Sequence, residues 1–327
     1  MSVHDELLNT LASAGSEYIS GAQLAEQLHV SRNAVWKAVR KLESEGFVID
    51  SVSGKGYRIS SESNKLCSEI IAASPYPEPK NCKIHIFPEL ESTNNTAKKL
   101  ASEGAPEGTV VIAEQQSSGK GRLGRSFFSP PEIGLYVSVI LRPDFSADIT
   151  QLITSCVACA VAETVEKLSG SRCGIKWVND IYMNGKKICG ILTEASFSLE
   201  TQTPDYVVVG TGINVRSVKN IFPDELLDTV TSIEDETGIS ISRNTLCAEF
   251  IHRLFSRIKT IRSRDFIDFY RERELLTGHY ITAFVNGEKV TAKAVGIDNN
   301  TELIVELADG TRSVIRSGEA NLCRRID

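Results

Sequence analysis

Residues 117–125 run Ser-Ser-Gly-Lys-Gly-Arg-Leu-Gly-Arg, so that Gly119, Gly121 and Gly124 alternate with the cations Lys120, Arg122 and Arg125 just after a strand-like run. Glycine lets a backbone turn sharply and approach a ligand closely, and the cations can neutralise a phosphate or a carboxylate. The spacing suits an anion. It is not a Walker loop, because four residues between glycines followed by Gly-Lys-Ser/Thr are missing, nor a dinucleotide fingerprint, because no helical pattern follows. A flexible basic surface loop has the same composition, and the loop alone does not decide between the two.

Three more segments set polar residues and glycines at the ends of apolar runs: Lys176-Trp177-Val178-Asn179-Asp180, the stretch 186–194, and Gly210-Thr211-Gly212-Ile213-Asn214. Breaks of this kind inside strands are expected where a ligand approaches a backbone. Each is also compatible with turn chemistry, and Trp177 by itself reads as core.

The elements that must position these residues can be read from periodicity. The middle of the chain mixes strand-like runs at 109–115, 135–143 and 206–215 with helical patterns at 149–168 and 244–261, which predicts an α/β or α+β core over 83–277. Beyond Gly278, four short strand candidates are separated by Asn286-Gly287, Asp298-Asn299-Asn300 and Asp309-Gly310, all hairpin signals, which predicts a small β-barrel over 278–327. A polar, then proline-dotted stretch at 63–82 reads as a short helix and a linker.

The first 62 residues predict a separate domain of helices at 4–14, 19–28 and 32–45, followed by a hairpin around Ser53-Gly54-Lys55-Gly56. Ser31 is placed to cap the third helix. That helix carries Arg32, Asn33, Trp36, Lys37, Arg40 and Lys41 away from Val35, Val39 and Leu42, with no acid between Ser31 and Lys41. A basic helix after a tight turn, with a wing bearing Lys55 and Arg58, fits the major groove of DNA; a solvated charged face is the plainer reading. Seven acids against six bases in residues 1–60 mean weak binding by one copy, which dimerisation would remedy.

With 327 residues the chain exceeds the roughly 250–300 at which single cores stop growing, so two or three domains are expected. An apolar fraction of 41%, with 24% charged residues and no run of about 18 uninterrupted apolar residues, indicates a globular protein with no membrane partner. The N-terminus is acidic and polar rather than basic and then apolar, so a cytoplasmic location is expected. The net charge of −6 argues against wholesale coating of nucleic acid but leaves room for one basic element. Of eight cysteines, only Cys156 and Cys159 are close, in an apolar run without further ligands at zinc spacing. They read as buried thiols, and no metal held by protein ligands alone is expected.

Taken together, Glu91-Ser92-Thr93-Asn94, the 119–125 loop, the KWVND segment at 176–180, KICGIL at 187–192 and GTGIN at 210–214 resemble the biotin protein ligase family. With the N-terminal helix-turn-helix and a wing ending in GKGYRI at 54–59, the chain looks like that family's bifunctional class, the biotin operon repressors. The resemblance covers nearly the whole chain in order. It implies an α+β multidomain fold: a winged helix-turn-helix, a central mixed sheet like that of class II synthetases, and an SH3-like C-terminal barrel. It implies ATP-dependent ligation of biotin to a lysine of a biotin carboxyl carrier protein through biotinoyl-5′-AMP, coupled to biotin-responsive repression at operator DNA.

Carried over by matching residues, the resemblance gives Ser92, Thr93, Asn94, Gln116, Gly119, Lys120 and Gly190 to biotin. Lys187 becomes the chief catalytic cation, touching both the biotin carboxylate and the ATP α-phosphate, and Arg122 reaches the same anions. Arg125, Lys176, Asn179, Asp180 and Asn214 go to ATP, with Mg²⁺ accompanying the phosphates. The family's ligand-promoted homodimer, with sheets paired edge to edge, is implied for this chain, its DNA contacts falling to Ser31, Arg32, Asn33, Trp36, Lys37, Arg40 and Lys41. Two positions depart from the pattern: Lys120 replaces a usual arginine and Val178 a usual proline. Neither removes a charge. No residues are assigned within 216–232, which covers the adenylate in relatives. Three rivals stand beside this reading: a lipoate or octanoyl ligase, whose triple-glycine motif is missing; a ligand-sensing regulator without turnover; and a ligase with a vestigial DNA-binding domain.

Overall fold

The computed structural model describes residues 2–74, 82–197, 203–285, 288–316 and 318–323. The N-terminal domain comprises α1 (Val3–Ala14), α2 (Gly21–Gln27), α3 (Arg32–Ser44), β1 (Ile49–Val52) and β2 (Gly56–Ile59). Ser2, Ser20 and Ser31 cap the three helices by accepting from Asp5, Gln23 and Ala34 backbone N–H groups, each satisfying an otherwise orphaned donor. Leu7, Leu11, Leu24, Val35, Val39 and Leu42 bury together as its core. The second helix is shorter than the expected 19–28. Ser20 caps it, and Ile19 instead exchanges backbone hydrogen bonds with Tyr57 of the wing.

The expected linker contains α4 (Ser68–Ala72), while the proline-dotted part at 75–81 lies outside the described residues. Residues 64–67 are held against the central domain by side chains at the start of a later helix, described below.

The central domain follows as β3 (Lys83–Leu90), α5 (Thr93–Ser102), β4 (Thr109–Gln116), β5 (Gly134–Leu141), α6 (Ala147–Gln151) and α7 (Ile153–Ser169). Then come β6 (Gly174–Lys176), β7 (Asp180–Met183), β8 (Lys186–Phe197), β9 (Pro204–Asn214), α8 (Asp224–Leu227), α9 (Ile233–Thr237), α10 (Arg243–Lys259) and α11 (Phe266–Arg273). The seven strands run in the order β3-β4-β5-β9-β8-β7-β6; β3 and β4 are parallel and the other neighbours antiparallel, so the sheet is mixed. One face packs on α7 and α10 through Val110, Ile112, Val137 and Val209; the other carries α5 through Val111, Ile140 and Val208. The stretch 149–169 is long and apolar enough to cross a membrane by composition, but most of it is buried in this core. Cys156 and Cys159 are buried free thiols on α7, and burial pushes the Cys156 thiol up to about 12.

After residue 278 the chain forms one antiparallel sheet, β10 (Tyr280–Val285), β11 (Glu288–Ile297), β12 (Leu303–Glu306), β13 (Arg312–Ile315) and β14 (Asn321–Leu322), in the order β13-β12-β11-β10-β14. That is five strands where four were expected, because residues 321–322 add an edge beside Ile281 and Thr282. Asp298 and Asp309 accept from backbone N–H groups two residues on, making the expected turns, while the Asn286-Gly287 turn lies outside the described residues. The protein is therefore a three-domain α+β chain: helix-turn-helix, mixed-sheet domain, antiparallel β domain.

Candidate functional site

A cleft opens over the strands β8 and β9, lined by the 120–127 loop, the start of α5, the β6–β7 turn and residues 318–320 of the C-terminal domain. Two glycines face each other in its floor. Gly190 and Gly212 sit directly opposite each other in neighbouring strands, and the Phe127 ring lies over both. A Cβ on Gly212 would meet that ring at 2.5 Å, and one on Gly190 would meet both the ring and Lys187 Nζ at 3.2 Å. Phe127 is in turn fixed by Tyr136, edge to face at 6.4 Å, and by donating its N–H to Gly119 O. The glycines thus serve close packing of the aromatic residue that follows the basic loop.

The loop is a small hairpin rather than free chain. Gly121 N–H donates to Arg125 O at 2.7 Å, Lys120 bridges to Ser126, and residues 122–124 make one 3₁₀ turn. Leu123 takes φ 56°, a left-handed value that costs a non-glycine residue about 1–3 kcal/mol, and is 72% exposed. Gly119 does not line the cleft: its missing Cβ makes room for Phe127 O, 2.3 Å from where that atom would be.

Cations converge here. Lys187 Nζ lies 2.8 Å from Asp180 Oδ1, and β7 and β8 bring the two together by pairing across the Asn184-Gly185 turn. Arg122 donates to Asn179 Oδ1 at 3.0 Å, while Asn179 exchanges backbone and side-chain bonds with Ile191, which locks the KWVND turn onto β8. The Trp177–Val178 bond within that turn is cis. Lys120 donates to Asn95 Oδ1 at 2.9 Å.

At the start of α5, Gln116 Oε1 accepts from the Thr93 backbone N–H and hydroxyl, and Gln116 Nε2 donates to Ser129. Ser92, at the N-cap position, makes no capping bond, which leaves its hydroxyl available to a ligand. Asn94 lines the cleft too, but as a wall. Its Oδ1 accepts from Ser138, and its amide donates to Leu192 O and Glu194. Gly210 is required beneath it, since a Cβ there would fall 2.0 Å from Asn94 Oδ1.

Asn214 sits just outside the cleft. Its Nδ2 donates to Thr231 O, and its Oδ1 is buried with no hydrogen-bond partner. The stretch 216–232, left unassigned from sequence, docks beside the cleft: Thr229 O accepts from Lys187 N–H, Thr231 N–H donates to Lys187 O, and Lys186 Nζ donates to Leu227 O.

Three more participants come from the C-terminal domain, and sequence reasoning missed them. Glu319 makes a two-pronged pair with Arg125, at 2.9 and 2.6 Å, Gly318 O accepts from Arg122, and Asn321 Oδ1 accepts from Lys176. Burial alone would raise the Glu319 carboxyl, but the bonds from Arg125 and Asn321 outweigh it and hold it below the usual range. Burial pushes the Lys176 ammonium below the ordinary lysine value, against the pull of Asp180 and Glu319. Three loop and sheet cations are therefore satisfied by an internal carboxylate and two neutral oxygens, in the manner expected of a site that otherwise receives an anion.

The basic helix is as read. Arg32, Asn33, Trp36, Lys37, Arg40 and Lys41 are exposed on α3, with Ser31 at its cap. Arg40 leans on Trp36 at 5.5 Å and pairs with Glu43, and Lys41 is 3.9 Å from Glu45. Arg32 borders a groove shared with wing residues 51–54. Of the two wing cations, Arg58 is tied to Asp50 and Ser16 O, and Lys55 lies over the Tyr18 ring at 5.8 Å.

Comparison with known proteins places these features. A biotin/lipoate A/B protein ligase family profile matches residues 86–214, a helix-turn-helix profile residues 4–58 and a biotin protein ligase C-terminal domain profile residues 281–322. The bifunctional ligase/repressor BirA of Bacillus subtilis is 34% identical over 94% of this chain and 95% of its own length. That of Escherichia coli is 28% identical, with 94% of each covered. The biotin protein ligase of Aquifex aeolicus, solved in complex with biotin and ATP, superposes with a TM-score of 0.63 and 27% identity over 74% of this chain and 99% of that one.

Proposed function

This chain belongs to the bifunctional biotin protein ligase/repressor family, and on that premise we propose that the cleft over Gly190 and Gly212 joins biotin to ATP with Lys187 and Arg122 as its catalytic cations. The observation that carries the assignment is the meeting of Lys187, Arg122, Arg125 and Lys176 in one cleft, beside two facing glycines that the Phe127 ring covers. In the first step a biotin carboxylate oxygen bonds to the α-phosphorus while the bond to the β-bridging oxygen breaks, giving biotinoyl-5′-AMP and pyrophosphate. In the second, the amine of an acceptor lysine bonds to the acyl carbon, loses its proton and expels AMP. No protein nucleophile is needed.

The problem is to hold two anions together, so preorganised charge and positioning carry the catalysis. Ser92, Thr93 and Gln116 would hold the biotin head group. Lys187 would face the carboxylate and α-phosphate, and Arg122, Arg125 and Lys176 the remaining phosphates. Mg²⁺ would arrive with the triphosphate and offset its charge, since a hard cation of this kind takes one or two protein oxygens plus phosphates. The unpartnered Oδ1 of Asn214 and the Asp180 carboxylate are oxygens of suitable chemistry. Incubation with biotin, MgATP and a biotin carboxyl carrier protein should release pyrophosphate and biotinylate one lysine. Modification by lipoate or octanoate instead would contradict the assignment.

ATP must displace the C-terminal domain's hold on Arg125. The pair is two-thirds exposed on the arginine side, so it is worth no more than about 1 kcal/mol. Glu319→Gln is therefore expected to lower the KM for ATP by about two- to fivefold, the equivalent of that energy. A raised KM would show that Glu319 orients Arg125 rather than competing for it.

For regulation, the adenylate would neutralise the basic loop, settle Leu123 and promote a homodimer able to grip two operator half-sites. Sedimentation should show a larger species with biotin and ATP than without, and equal values would count against the dimer. On DNA, Arg32→Ala and Lys37→Ala should each weaken binding, and each lost phosphate contact should reduce the slope of log K against log salt by about 0.9. An unchanged slope in both would move the interface elsewhere.

A further inference from the structure

Leu66 is buried in the core of the central domain and its neighbour Cys67 in the core of the N-terminal domain, so the chain crosses from one domain to the other between adjacent residues. What fixes that crossing is Arg243, the first residue of α10, only 1% exposed. Its guanidinium spends four contacts on three elements. Nε and Nη2 grip Asn64 in the tether, through the side-chain oxygen at 2.8 Å and the backbone oxygen at 2.6 Å. Nη1 reaches Glu114 Oε2 on β4 at 2.9 Å and Gly134 O at the start of β5 at 3.1 Å. Asn244 adds two bonds, accepting from Cys67 N–H and donating to Lys65 O. Glu114 also lies 3.4 Å from the Leu66 N–H.

Both strand contacts lead to the ligand site. Glu114 is two residues before Gln116 on the same strand, and Gln116 holds Thr93. Gly134 pairs directly with Asn214, and its neighbour Ile133 accepts from the Val215 and Arg216 N–H groups, where the 216–232 stretch begins. A planar, fixed fork cannot follow a displaced partner by bending as a lysine would. A buried cation also cannot leave a partner without a large penalty. A shift of either strand end on ligand binding must therefore be answered at Asn64.

We infer that Arg243 is a positioning residue that couples occupancy of the ligand cleft to the order of the tether carrying the DNA-binding domain. The inference rests on the ligase reading of the cleft. Adenylate in the site tightens residues 64–67 and so fixes the angle at which the helix-turn-helix is presented. By reciprocity, the tether influences ligand affinity by the same factor.

Amide hydrogen exchange at Leu66 and Cys67 tests this in the full chain, with adenylate formation followed in the same samples by mass spectrometry. In wild type, biotin and MgATP should slow exchange at both amides by about fivefold or more, the lower end of typical couplings between sites. Arg243 itself risks the fold, so the informative change is Asn64→Ala. It removes the grip on the side-chain oxygen, together with the bond that Asn64 Nδ2 donates to Glu132 O, but leaves the Glu114 and Gly134 contacts; Asn64→Asp loses only the bond to Glu132 and so separates the two. If Arg243 transmits, the ratio of exchange with and without ligand should fall towards one in Asn64→Ala, and Asn64→Asp, which keeps the acceptor, should retain it. A purely structural contact would raise exchange equally in both conditions and leave the ratio at its wild-type value. That result, or a wild type that forms adenylate with no change at Leu66 and Cys67, overturns the coupling and leaves the ligase reading standing. A wild type that forms no adenylate overturns the ligase reading, and the coupling with it.

Discussion

Lys187→Ala is expected to slow adenylate formation at saturating biotin and ATP by about 10²–10³-fold, the range seen when one preorganised charge or donor is removed from a developing anion. Two losses combine. The ammonium is removed from the point where carboxylate and α-phosphate must meet, and Asp180, whose Oδ1 is buried 2.8 Å from it, is left without its counter-charge. An uncompensated carboxylate would then face two more anions. Recovery of part of the rate in the double variant Lys187→Ala/Asp180→Ala would assign Asp180 to the ion pair, and a further loss would assign it to Mg²⁺. Single-turnover kinetics separate the possibilities: a kcat loss marks stabilisation of the transition state, whereas a raised KM with intact kcat would reduce Lys187 to a binding residue.

Gly212→Ala should disturb the cleft through the ring that lies over it. The added carbon would lie 2.5 Å from one Phe127 ring atom and 2.6 Å from another, and the ring cannot simply retreat. It rests edge to face on Tyr136, and its backbone N–H is bonded to Gly119 O at the base of the basic loop. The strain must pass into that loop. Overpacking of this kind costs about 1–3 kcal/mol, or about 5- to 150-fold if it falls on the competent loop geometry. The check is kcat/KM for biotin alongside the melting temperature, with Phe127→Leu added as a compensating change. Full activity in Gly212→Ala alone would mean that the loop's position does not depend on this contact.

The parts of the site that were legible in the sequence are those in which glycine and charge alternate within a few residues. The 119–125 loop, the KWVND turn and the paired strands announced themselves because close approach to backbone forbids side chains, here by Phe127, and local spacing records that. Glu319 and Asn321 were not legible. They meet Arg125 and Lys176 across 194 and 145 positions of chain, and nothing in a residue's own neighbourhood marks such a partner. Phe127 was missed because its role depends on two glycines in different strands. Gly119 and Asn214 sit within motifs that reach the cleft, yet one is taken up by packing against Phe127 O and the other opens just outside. The boundary at 63–82 read as a short helix and a linker because it is polar, and nothing local marked that buried Arg243 and Asn244 satisfy the polarity of residues 64–67 and hold them as a fixed joint.

If this cleft makes and keeps biotinoyl-5′-AMP, native mass spectrometry of the purified protein before and after incubation with biotin, ATP and Mg²⁺, with Lys187→Ala alongside, should show a retained adduct of the adenylate's mass with release of pyrophosphate in wild type, and loss of both in the variant. An equal adduct in the variant would remove Lys187 from the chemistry. Retention of biotin with ATP left intact would mean that the site senses biotin without activating it.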